Sequence, residues 1–307
     1  IGEIMSLGQK IIISVGAFVI TFITVCTFFK SDIDFLLTSR TVERKYGTTA
    51  ENSYFLEDHF DYVEPYEKAE VHSMKEIMNS IYYLINSGVT TSERYCAKEY
   101  KNCYTDMEAI SSDTNMLSIL NNYVHPFNSF DSIIFNFDDN IIKVEIKHTY
   151  TDDEIKKLNA KVDEIINKTI TNEMSTRDKI KAIHDYIINH TEYDTLKTKN
   201  INDKTYHSNT AYGVLIEGYG ICSGYSDAMK LFLDKLNIIN YKISNDQHLV
   251  YLDGNWLHLD LTWDDPVSDK NITRDNYFLI DTKTLKELND DVHYYDVNVF
   301  KEAKGVN

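Results

Sequence analysis

The stretch GYGICSGYS places a single cysteine, Cys222, between Gly220 and Gly224. Helical spacing through Tyr225, Met229, Phe232, Leu233 and Leu236 follows it. Cys222 therefore stands at or near the N-terminus of a buried helix. Unpaired backbone N–H groups and the helix macrodipole favour an anion there. A thiolate is such an anion, so the position should lower the cysteine pKa below its free value of ~8.5. Gly220 and Gly224 remove side-chain bulk on either side, which allows a tight turn into the helix and close approach of a substrate backbone. Nucleophilic catalysis further requires a base, and the base a group that orients it.

Candidates lie downstream in QHLVYLDGNWLHLDLTWDDP, where 247–252 and 256–261 alternate around Asp253-Gly254, a strong hairpin signal. A two-residue turn sets His248 opposite Leu259, with Asp260 on the other face. A three-residue turn puts His248 and Asp260 on one face, where the carboxylate can hold the imidazole ring. A His–Asp pair requires the odd-length turn, and the odd-length turn is predicted. His258 shares a strand face with Asp260 but points parallel to it, which makes His248 the favoured base. Two other readings exist: a mixed zinc set of Cys222, His248, His258 and Asp260, or local packing. The joint presence of a helix-start cysteine with His and Asp on a Gly-turn hairpin argues against packing alone.

Three blocks, IHDYIINHTEYD, AYGVLIEGYGICSGYSDAMKLFLDKLNI and HLVYLDGNWLHLDLTWDDP, resemble in order and spacing the bacterial members of the transglutaminase-like superfamily, papain-related Cys-His-Asp enzymes. The resemblance covers about residues 160 to 285. It implies Cys222 as nucleophile, His248 as base and Asp260 as orienting acid, with the Cys222 backbone N–H in the oxyanion hole. It implies an α+β fold with the Cys-bearing helix packed on an antiparallel sheet. The chain departs from the family's H-x-W pattern, with Val at position 250. The implied chemistry is acyl transfer through a thioester. Water as acceptor makes a cysteine protease or amidase, and an amine makes a cross-linking transglutaminase. A peptidase-like hydrolase is the preferred reading, beside a cell-wall peptide amidase and a catalytically silent surface binding module. No metal or organic cofactor is called for.

These residues need elements to hold them. Ser175 or Thr176 caps a helix whose stripe is Ile180, Ile183, Ile187 and Ile188, with His184 at its edge as a satisfied core histidine. A helix over about 152–170 precedes it. Residues 66–86 show helical spacing, 89–104 can be extended, and SIIFNF with IIKVEIKHTY around Asp138-Asp139-Asn140 reads as a hairpin. His125 is read as a structural hydrogen-bonder. The expected organisation is a membrane anchor (1–30), an irregular stalk (31–65), a small α+β module (66–150) and a transglutaminase-like catalytic domain (151–307).

The anchor rests on residues 11–29, which carry no charge and lie between Lys10 and Lys30. No small-residue cleavage pattern follows, so a transmembrane signal anchor with an extracellular catalytic domain is expected. Lys+Arg 31 against Asp+Glu 48 gives a net charge of −17, which argues against nucleic acid as a partner. A protein, peptide or cell-wall peptide substrate is expected instead. Cys96 and Cys103 are close enough to bridge if that face is oxidising, or else are two free thiols. Cys222 has no further cysteine to bridge to outside the expected membrane span.

Overall fold

The computed structural model describes residues 52–243, 247–265, 274–288 and 293–304. The expected anchor lies outside them, and among the described residues no helix is long and apolar enough to cross a membrane.

A four-stranded sheet comes first, in the order β1-β2-β4-β3. Its strands are β1 (Glu70–Val71), β2 (Thr91–Cys96), β3 (Phe130–Asp138) and β4 (Ile141–His148). Helix α1 (Met74–Asn86) begins later than its apolar spacing implies, because the Ser73 side chain caps it by accepting from the Glu76 amide at 3.2 Å. Glu70 and Val71 are thereby released to pair parallel to β2. Helices α2 (Cys103–Ser112) and α3 (Thr114–Leu120) follow β2, and Cys103 is disulfide-bonded to Cys96. His125 acts as read: its Nδ1 accepts from the Phe127 amide at 3.1 Å and its ring stacks on Tyr54.

Helix α4 (Asp152–Thr169) opens on a complete capping box between Thr151 and Glu154. Helix α5 (Thr176–His190) is capped by Ser175 and buries Ile180, Ile183, Ile187 and Ile188. The short parallel pair β5 (Glu192–Tyr193) and β6 (Tyr219–Gly220) brackets α6 (Thr195–Lys199) and a π-helical turn at Gly213–Glu217. Helix α7 (Cys222–Lys235) packs on a three-stranded antiparallel sheet, β7 (Asn240–Ile243), β8 (Gln247–Leu252) and β9 (Asn255–Leu259). Helices α8 (Leu261–Asp264) and α9 (Thr282–Glu287) follow among the described residues. The fold is α+β, with a cysteine-bearing helix against an antiparallel sheet.

That sheet has two buried faces, and each belongs to a different core. Val250, Leu252 and Leu259 pack with α5 and α7, together with Phe127 and Tyr150. Tyr241, Ile243 and Leu249 pack with residues of the first sheet and its helices, and with Phe300 and Ala303 from the C-terminal segment. The sheet thus forms the middle layer between the two halves of the chain.

Candidate active site

Strand pairing β5–β6 sets the position of Cys222. Tyr193 is in register with Gly220, two residues before the cysteine. Ile221 is the N-cap of α7 and contributes no side-chain cap, while its own amide donates to the Ser208 carbonyl at 2.8 Å. The glycines serve a different purpose from the one the sequence suggests. A Cβ at Gly224 would collide with the Ser208 carbonyl, and one at Gly220 would lie 2.7 Å from the Tyr225 ring. The close approach is made by the protein's own chain, which leaves Cys222 partly exposed.

Tyr193 and the Cys222 side chain are hydrogen-bonded. Partial burial, the Cys222 sulfur and the charge of Asp260 all raise the Tyr193 pKa. The same phenol is therefore bonded to the Cys222 side chain and feels the charge of Asp260. One turn further along α7, the Tyr225 hydroxyl donates to Asp265 at 2.6 Å, which ties the helix to the end of α8.

The expected partnership of His248 with Asp260 is not made. Leu252 pairs with Asn255 and His248 with Leu259, so the turn has two residues and not three. Asp253 and Gly254 have φ of 52° and 82°, the positive values that a type I′ turn demands. That register also gathers Val250, Leu252, Leu257 and Leu259 on one face, whereas an odd turn would set Val250 and Leu252 beside Trp256 and His258. Apolar burial decides the register, and the histidine follows it.

His248 is consequently buried against α7, in register with Lys242. Burial, then the charges of Lys230 and Lys242, push its pKa well below the ordinary value. Its Nε2 has no hydrogen-bond partner. Around it runs a polar chain in which the Ala211 amide donates to the Tyr150 hydroxyl at 2.8 Å, and that hydroxyl to Asp227 at 2.7 Å. Lys242 completes it by pairing with Asp227 at 2.7 Å.

Asp260 lies on the opposite face. Its Oδ1 caps α8 by accepting from the amides of Thr262 and Trp263 at 2.9 and 3.1 Å. Its Oδ2 accepts from His293 Nε2 at 3.0 Å. The His293 ring stacks on Tyr277, with centroids 4.7 Å apart, and is flanked by Trp263 at 5.2 Å. Sequence reasoning passes over His293, which sits in DDVHYYD beyond the three recognisable blocks. No local spacing links it to Asp260.

His258 and His184 have structural partners. His258 meets the Thr282 hydroxyl at 3.0 Å, and burial lowers its pKa to about 4. His184 is fully buried and lies 3.2 Å from Asp264, whose other oxygen accepts from the Tyr277 amide at 3.1 Å. With His248 and Asp260 on opposite sheet faces, the mixed zinc set is not assembled. Among the described residues no group of three or more His, Cys, Asp or Glu is arranged to hold a metal ion.

No family model matches the chain, and no curated protein matches it. Among solved structures, one described as "Crystal structure of a TGase" aligns at 18% identity with a TM-score of 0.33, covering 60% of this chain. The alignment covers 53% of that structure, so the chain spans about half of its length. A likeness of that size carries no argument about function or residues.

Proposed function

We propose that the protein is a cysteine-dependent acyl-transfer enzyme, with Cys222 as nucleophile and Asp260 as the acid that orients an imidazole. The observation that carries this is that Tyr193 bonds to the Cys222 side chain and also feels the Asp260 charge. The thiol proton passes to an imidazole, and the thiolate attacks an amide carbonyl carbon. The carbonyl electron pair moves to oxygen, beside the uncapped first turn of α7. Collapse breaks the C–N bond, and the imidazolium gives its proton to the leaving amine. The thioester is then cleaved by water, whose proton returns to the thiolate through the imidazole. The products are a carboxylic acid and the free thiol. A peptide or protein amide is the proposed substrate, with the cell-wall peptide and the amine acceptor as variants of the same chemistry. The Cys96–Cys103 disulfide supports an oxidising, extracellular setting for an anchored enzyme.

Casein peptides and purified cell wall, each incubated with wild type and Cys222→Ala, test the reading. Expected are cleavage by wild type alone and a thioester adduct on Cys222 by mass spectrometry. No cleavage of either substrate and no adduct would sink it. The burial of His248 away from Asp260 favours a second reading, a binding module that keeps the fold without the chemistry. Substrate retention on an affinity column with no turnover would support that module.

A further inference from the structure

The proposed chemistry needs an imidazole, and the register has removed the one that the hairpin offers. Continuing the β8–β9 pairing by one step brings Gln247 across from Asp260, again not a histidine. Among the described residues, the histidine hydrogen-bonded to Asp260 is His293, thirty-three positions downstream. We infer that His293 is the general base of this site and that the C-terminal segment, not the hairpin, supplies it. This rests on the reading of Cys222 as a nucleophile.

The geometry fits the role. A carboxylate can only accept, so His293 Nε2 carries the proton in its bond to Asp260. That fixes the neutral tautomer with Nδ1 as the basic nitrogen. Nδ1 takes the thiol proton as the S–H bond breaks, giving an imidazolium and a thiolate, and the charge is stabilised by Asp260 on one side. The stacked Tyr277 ring adds its negative π face. The other titratable neighbours are Tyr193, hydrogen-bonded to the Cys222 side chain, and His258, held at Thr282 and kept neutral by burial.

The segment carrying His293 is fixed from the far side of the molecule. Phe300 is buried and stacks on Tyr123 and Tyr241, both at 6.1 Å. The Tyr241 hydroxyl donates to Glu302 at 2.7 Å, and the Tyr123 hydroxyl to the Val299 carbonyl at 3.3 Å. The Thr282 and Tyr295 hydroxyls both donate to the Ala303 carbonyl, at 3.0 and 3.1 Å. The first half of the chain, through Tyr123, thereby helps to place the base.

The test is the pH dependence of Cys222 alkylation by iodoacetamide in wild type, His293→Gln and His248→Gln. An unassisted thiol of pKa ~8.5 is only about 0.3% thiolate at pH 6. Wild type and His248→Gln should alkylate at pH 6 with the same rate, and His293→Gln at least tenfold more slowly, with the difference closing above pH 9. Should His293→Gln not fold by its thermal melt, His293→Phe keeps the ring stack and carries the same comparison. A His293 variant with the wild-type profile, or a His248→Gln profile shifted in its place, overturns the assignment while leaving Cys222 a nucleophile. Wild-type reactivity no greater than that of a free thiol overturns the nucleophile reading itself, and the base with it.

Discussion

Asp260 holds His293 Nε2 at 3.0 Å with one carboxylate oxygen while the other caps helix α8. One side chain thus fixes both the imidazole and the start of the segment that carries Trp263 and Asp264.

Asp260→Asn separates these two tasks. The amide oxygen can still cap α8, but the NH2 group can only donate to His293 Nε2. The neutral ring then carries its proton on Nδ1, the nitrogen that must accept from the thiol. The expected outcome is a melting temperature close to wild type with kcat reduced about 10²–10⁴-fold, the usual contribution of general acid–base catalysis. Calorimetry and steady-state kinetics on one preparation check it.

Gly224→Ala should damage the site through packing. The added methyl meets the Ser208 carbonyl, which belongs to backbone and cannot rotate away. A cost of about 1–3 kcal/mol is expected from overpacking. Urea unfolding measures it, and Cys222 alkylation should slow in the folded fraction because the first turn of α7 is displaced.

Asp264→Ala removes the Nε2 partner of fully buried His184, whose Nδ1 keeps Asp185, and the acceptor of the Tyr277 amide. Each buried donor left unpaired costs about 1–3 kcal/mol. Stability should fall by that order, and activity should fall further, because Tyr277 stacks on His293.

Stability should decline as pH falls below neutrality. Burial lowers His125 to about 3 and His258 to about 4, and pushes His248 down as well. Above ~6.5, the ordinary histidine value, all three are neutral in both folded and unfolded chains. Below it the unfolded chain takes up protons that the folded one refuses, so stability is lost from about pH 6.5 down toward the folded values. Each such proton contributes a slope of about 1.4 kcal/mol per pH unit. His125→Asn keeps an N-cap acceptor for the Phe127 amide and removes one titration. Its unfolding free energy should depend on pH less steeply than wild type by one proton between pH 6 and 4.

Reduction of Cys96–Cys103 should cost about 2–3 kcal/mol by the loop-closure relation for a separation of seven residues. The double variant Cys96→Ala/Cys103→Ala should unfold at the same denaturant concentration as reduced wild type.

Much of the scaffold follows from local chemistry. The cap at Ser175, the isoleucine stripe of α5 and both hairpins are visible in the sequence, because each depends on neighbours a few residues apart. The same local rules also placed Cys222 at a helix start. They pointed to the wrong partner for Asp260 because the odd turn was inferred from the chemistry it would allow. The Asp-Gly turn and the apolar face of four residues selected the even register in its place.

The sequence by itself determined the positions of Cys222 and Asp260, since each is set by the element that carries it. Only the tertiary structure decided which histidine Asp260 holds. His293 reaches Asp260 through the packing of Phe300 on Tyr123 and Tyr241, contacts between residues far apart along the chain. Such long-range burial has no periodicity in the sequence, and therefore no local signal by which to read it.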